Sequence, residues 1–186
     1  MLSTRTLKFF LTHFGLAFSF RRTCLTAAVA IAFRQYPLGC SLLLGSRLLD
    51  GVDGAVARAS SPTDRGGYFD IVSDYVFYAA IPLGFAVADP VRNALAAAAL
   101  LGSFALTGTS FLAFATLAAK RGLETTSLGK KSFFYSRGIM EGAETITCFA
   151  AMTLWPRTFP VLAWIAFALC ILTAIQRAVL ASRTFR

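Results

Sequence analysis

"DGVDGAVARASSPTDRGGYFDIVSD", residues 50–74, sets Asp50, Asp53, Asp70 and Asp74 at helical spacing in a chain with only nine acidic residues in all. Asp50 and Asp53 stand three positions apart and Asp70 and Asp74 four, so each pair occupies one face of its own helix. Between the pairs, "ASSPTDRGG" carries the proline and glycines of a polar loop. Two consecutive helices joined by so short a loop run antiparallel, which brings both carboxylate pairs to the same end. Left alone, four converging carboxylates repel one another, and acids near membrane depth are costly. A hard divalent cation, Mg²⁺ or Mn²⁺, is the usual compensation. Ordinary surface acids would show no such regularity.

The helices flanking this stretch belong to an apolar chain. Of 186 residues, 56% are hydrophobic, and the mean hydropathy is positive, too greasy for a soluble domain of this size. A bilayer crossing needs ~20 mostly apolar residues, and the clearest windows are Tyr68 to Ala88, Val91 to Ala119 and Phe159 to Leu180. Shorter spans are expected over 19–33, 38–58 and 138–155. Residues 2–18 are amphipathic, with Arg5, Lys8 and His13 among aromatics and leucines, which suits a helix lying in the interface. No apolar core with a small-residue cleavage site follows, so no removable signal peptide is expected. The predicted fold is an all-α integral membrane protein, one domain over 1–186, with six transmembrane helices preceded by an N-terminal interfacial amphipathic helix.

The formal charge of +9 lies between the apolar segments and forms no stripe on a soluble face, which argues against a nucleic-acid partner. Six spans put Arg5, Lys8, Arg58, Arg65, Lys120, Arg121, Lys130, Lys131, Arg137, Arg177, Arg183 and Arg186 on one side, against Arg34, Arg92 and Arg157 on the other. The positive-inside rule then makes both termini and the aspartate-rich loop cytoplasmic. Cys24, Cys40, Cys148 and Cys170 are widely spaced in apolar segments, without a C-x-x-C pair, and read as small buried hydrophobes.

Around the aspartates, Gly54 and Ala57 keep the helix face small enough for a ligand to approach the backbone, and Arg58 offers a fixed cation to a phosphate oxygen. Gly66 and Gly67 open the next helix. Asp50-x-x-Asp53-Gly54-x-x-Ala57-Arg58 followed by Gly66-x-x-x-Asp70-x-x-x-Asp74 resembles the signature of the CDP-alcohol phosphotransferases, membrane enzymes of phospholipid synthesis with a six-helix domain. The spacer "ASSPTDR" holds seven residues where that signature usually has eight or more. The resemblance implies that Asp50, Asp53 and Asp70 hold metal on the pyrophosphate of a CDP-linked lipid. Asp74 would complete the site, which takes two ions, and act as general base in a direct attack that releases CMP. It further implies that Asp50, Gly54, Ala57, Arg58, Gly66 and Asp70 bind the CDP-lipid, of CDP-diacylglycerol type. A homodimer and a bacterial inner-membrane location are the expected setting.

The acceptor alcohol is less constrained. Lys130, Lys131 and Arg137 lie in the loop before the fifth span, either as topology anchors or as a phosphate site. The second possibility favours a phosphorylated polyol such as glycerol 3-phosphate or inositol phosphate over serine, choline or inositol. Glu141 and Glu144 are acids three positions apart within an apolar segment and call for a partner: Arg137, acceptor hydroxyls or an ammonium. A membrane prenyltransferase would need a second aspartate-rich motif, which the sequence lacks. A divalent-cation transporter would place acids at mid-membrane in several spans, and Arg58 would oppose it.

Overall fold

The structure, a computed structural model, describes residues 23–59, 64–123 and 138–185, the side chains of 52–59 and 65 excepted. The expected interfacial helix with Arg5, Lys8 and His13 lies outside the described residues. Six α-helices fill the rest: α1 (Thr23–Ala32), then α2 (Tyr36–Ala59), α3 (Asp64–Ala88), α4 (Pro90–Lys120), α5 (Gly142–Leu154) and α6 (Phe159–Thr184), with a 3₁₀ turn (Pro156–Thr158) before α6. There is no strand among the described residues. Three stretches, Gly66–Ala88, Pro90–Lys120 and Pro156–Thr184, are long and apolar enough to cross a membrane.

Helix boundaries depart from the sequence pattern at the starts of α3 and α5. α3 begins at Asp64, four residues before the expected apolar onset at Tyr68, because Asp64 sits in the first turn and complements the positive end of the helix. Gly66 and Gly67 therefore lie within that turn and not in a loop. α2 begins at Tyr36 with Pro37 in its first turn, where a missing N–H costs nothing. Residues 138–141, expected to be helical, instead precede α5.

The chain divides into two units, Met1–Ala94 with Thr153–Pro156, and Leu95–Met152 with Arg157–Arg186. In the first, Cys24, Ala27, Ile31, Leu43, Phe77, Ile81 and Phe85 are buried, and Tyr36 stacks on Phe85 at 5.9 Å between centroids. The turn from α1 to α2 closes with Arg34 in the left-handed region at φ 62°. The Gln35 N–H donates to the Ala30 carbonyl and the Arg34 N–H to that of Ile31, the double bond of a Schellman end that usually carries glycine. Arg34 holds the position because its Nε donates to the Ala88 carbonyl at 3.0 Å, tying the turn to the end of α3. α4 ends the same way with Gly122 at φ 63°.

Gly84 permits a close contact between helices of the first unit. A Cβ there would stand 2.6 Å from the Ala28 carbonyl oxygen, so α1 and α3 touch backbone to side-chain-free backbone. Small residues allow such close approach where lipid supplies no hydrophobic drive between helices. In the second unit, Phe104 meets Phe149 edge to face at 5.9 Å. The four cysteines are free thiols, three buried and Cys148 half-buried. Gly84→Ala should lower the thermal stability of the detergent-purified protein by about 1–3 kcal/mol, because a backbone atom cannot yield to the added methyl. Gly102→Ala, which meets nothing within 4 Å, should be neutral or slightly stabilising in the same melting experiment.

Candidate functional site

Asp50 lies on α2 and Asp70 and Asp74 on α3. The residue that relates the two helices was passed over in the sequence pattern: Arg47, one turn before Asp50. Its Nη1 donates to Asp74 Oδ1 at 2.9 Å and stands 3.7 Å from Asp50 Oδ2. Asp50 and Asp74, 24 positions apart in the chain, thus come within reach of a single cationic group. The Arg47 side chain is only 9% exposed, against 30% for Asp50 and 35% for Asp74, so the carboxylates face outward from a buried cation.

The guanidinium has a third neighbour. Its central carbon lies 3.9 Å from the centroid of the Phe77 ring, and Phe77 is fully buried one turn after Asp74 on α3. One face of α3 therefore supplies both the carboxylate and the aromatic surface that take the same guanidinium, a geometry for which arginine is better shaped than lysine. Beside it Ser73 donates to the Phe69 carbonyl of its own helix at 2.6 Å, so its hydroxyl is turned into the ladder.

Asp70 is exposed, one turn before Asp74. Asp53, Gly54, Ala57 and Arg58 belong to α2 by backbone, but their side chains lie outside the described residues, as do Lys130, Lys131 and Arg137 altogether. Among the described residues no three metal-capable side chains gather at one point. The donor chemistry nonetheless suits a hard cation: Asp50 and Asp74 already converge on one positive centre and offer only carboxylate oxygens. A Cβ at Gly67 would meet nothing within 4 Å, so packing among described residues does not explain its small size.

The second unit answers the question raised by Glu141. Its carboxylate lies 3.6 Å from Arg177 Nη2 on α6 and accepts the Gly138 N–H. The Glu141 N–H in turn donates to Glu144 at 3.2 Å. Arg177 also donates from Nη1 to the Thr107 carbonyl at 3.0 Å and lies 5.2 Å from the Phe111 ring centroid. The Ile139 and Met140 N–H groups both donate to Thr173 Oγ1 at 3.1 Å. The segment leading into α5 is thus held by its backbone donors.

With these residues in place, the chain belongs to the CDP-alcohol phosphatidyltransferase family, whose model matches residues 13–176. That is a family of transferases acting in phospholipid head-group transfer. The chain is similar to "Inner membrane protein YnjF" of Escherichia coli strain K12, 47% identical over 147 residues that cover 79% of this chain and 71% of the relative. No solved structure matches it. The ion pair of the second unit carries its own expectation. Arg177→Met should destabilise the protein by about 1–3 kcal/mol, through the carboxylate and carbonyl it leaves behind. Glu141→Gln keeps an acceptor for the Gly138 N–H and should cost less; thermal melts of the two variants in one detergent compare them.

Proposed function

We propose that this protein transfers a phosphatidyl-type group from a CDP-linked lipid of CDP-diacylglycerol type to an alcohol, with release of CMP. The observation that carries the reading is the convergence of Asp50 and Asp74 on one guanidinium, in a chain whose family makes phospholipids. Asp50, Asp53, Asp70 and Asp74 would hold Mg²⁺ or Mn²⁺, two ions in all. When bound, the metal neutralises the pyrophosphate and makes CMP a better leaving group. Gly54, Ala57, Arg58 and Gly66 would receive the CDP portion together with Asp50 and Asp70.

In the step itself, the acceptor hydroxyl oxygen attacks the phosphorus that bears the lipid. The new P–O bond forms as the P–O bond to CMP breaks, CMP leaves with the electron pair, and Asp74 takes the hydroxyl proton. The favoured acceptor is a phosphorylated polyol, since Lys130, Lys131 and Arg137 would orient a dianionic phosphate by charge-assisted contacts. The proposed setting is a homodimer of six-span subunits in a bacterial inner membrane, with site and termini cytoplasmic. The name of the relative supports the membrane assignment.

The test is CMP release by purified protein from CDP-diacylglycerol with glycerol 3-phosphate, inositol 1-phosphate, inositol, serine or choline. Turnover is expected only with a phosphorylated acceptor, abolished by chelation and restored by Mg²⁺ or Mn²⁺. Activity confined to a non-phosphorylated acceptor, or an unchanged acceptor KM in Arg137→Ala, would remove the phosphate pocket. Asp74→Asn should lower kcat by roughly 10²-fold or more, with little change in KM for the CDP-lipid. Full turnover by that variant would take the base role from Asp74. Labelling of single cysteines placed at residues 62 and 128 should report the same side of the membrane.

A further inference from the structure

The geometry points to Arg47 as a positioning residue, which orients Asp74 for proton transfer and competes with the divalent cation for Asp50 and Asp74. This rests on the transferase reading and adds to it a residue outside the Asp-x-x-Asp-Gly signature. Three observations carry it. Arg47 bridges carboxylates from both signature helices, at 2.9 and 3.7 Å. Its side chain is only 9% exposed, unlike that of a surface arginine. Phe77, fully buried on the helix of Asp74, seats the guanidinium face at 3.9 Å.

The consequence for orientation follows from the donor set. A carboxylate held through one oxygen presents the other in a fixed direction to a hydroxyl, and Arg47 Nη1 holds Asp74 through Oδ1. The consequence for metal binding follows from charge. A fixed cation within 4 Å of two carboxylates repels any second cation drawn to them, and burial leaves that repulsion weakly screened. Arg47 thus lowers the affinity of these carboxylates for metal while holding both to one guanidinium.

The experiment measures Mn²⁺ binding by electron spin resonance, and kcat and KM for CDP-lipid, on the full chain in detergent. Arg47→Gln should bind Mn²⁺ roughly tenfold more tightly than the parent protein, because one positive charge has gone. It should also lose roughly tenfold or more in kcat, with KM for the CDP-lipid nearly unchanged. Mn²⁺ affinity that is unchanged or weaker, or kcat that is retained, overturns the inference. Arg47→Lys covers the case in which the glutamine variant does not fold. It keeps the charge but not the planar fork, so its Mn²⁺ affinity should stay within roughly threefold of the parent while kcat falls roughly threefold or more, with turnover above that of Arg47→Gln wherever both fold. Parent-like kcat, or Mn²⁺ affinity raised roughly tenfold or more, in that variant overturns the inference as well. A parent protein that binds no Mn²⁺ and releases no CMP removes the transferase reading itself, an outcome distinct from normal parent activity with an indifferent Arg47.

Discussion

The contact on which the signature region depends is the guanidinium of Arg47, buried between α2 and α3. A charge at that depth costs several kcal/mol in lost hydration unless partners replace the water. Here two carboxylates and one aromatic face do so. The compensation is mutual: Asp50 and Asp74 would repel each other across the helix pair, and a cation between them turns repulsion into attraction along both contacts. The same group that makes the acids tolerable also fixes which way they face. Since Asp74 and Phe77 are three positions apart on α3, the helix can present both only with that face toward α2.

Where α3 sits is decided at its other end. Gly84 lies ten positions after Asp74, about 15 Å along the helix, and brings the α3 backbone against Ala28 of α1. Arg34 then ties the α1–α2 turn to the last carbonyls of α3. The three helices are thus held at one end by a steric contact and a hydrogen bond, and α2 and α3 are joined at the other by ion pairs. Neither closure relies on the hydrophobic effect, which has little force between helices surrounded by lipid.

What was legible in the sequence follows from this division of labour. The apolar runs read out directly because bilayer thickness sets a length and composition that hydropathy detects. The aspartates were legible because helical periodicity alone puts 50 with 53 and 70 with 74. Arg47 is not legible in that way, because it lies inside the apolar run over 38–58 and outside the Asp-x-x-Asp-Gly pattern. The signal is present all the same, since the arginine three positions before Asp50 in "GSRLLD" is a charge inside an expected span, and such a charge calls for partners. Asp64 reads as a loop residue because its neighbours Pro62, Gly66 and Gly67 are turn residues, although its carboxylate suits a helix start. The partner of Glu141 could not be read locally, because Arg177 lies 36 positions away on another helix.

Arg47 and Arg177 look alike by burial and pairing, and their differences separate function from support. Each side chain is 9% exposed, and each meets a carboxylate about one-third exposed. Arg177 spends its second contact on the Thr107 carbonyl, and its carboxylate partner accepts the Gly138 N–H, so these groups serve the backbone at both ends of the pair. These contacts hold the segment leading into α5 against α4 and α6. Arg47 instead pairs with carboxylates on two helices, both members of the aspartate signature and both partly open to the outside. An arginine that binds backbone carbonyls needs only to stay where it is. One that binds paired, half-exposed acids shares them with whatever other cation arrives, and its charge then enters the chemistry at that point.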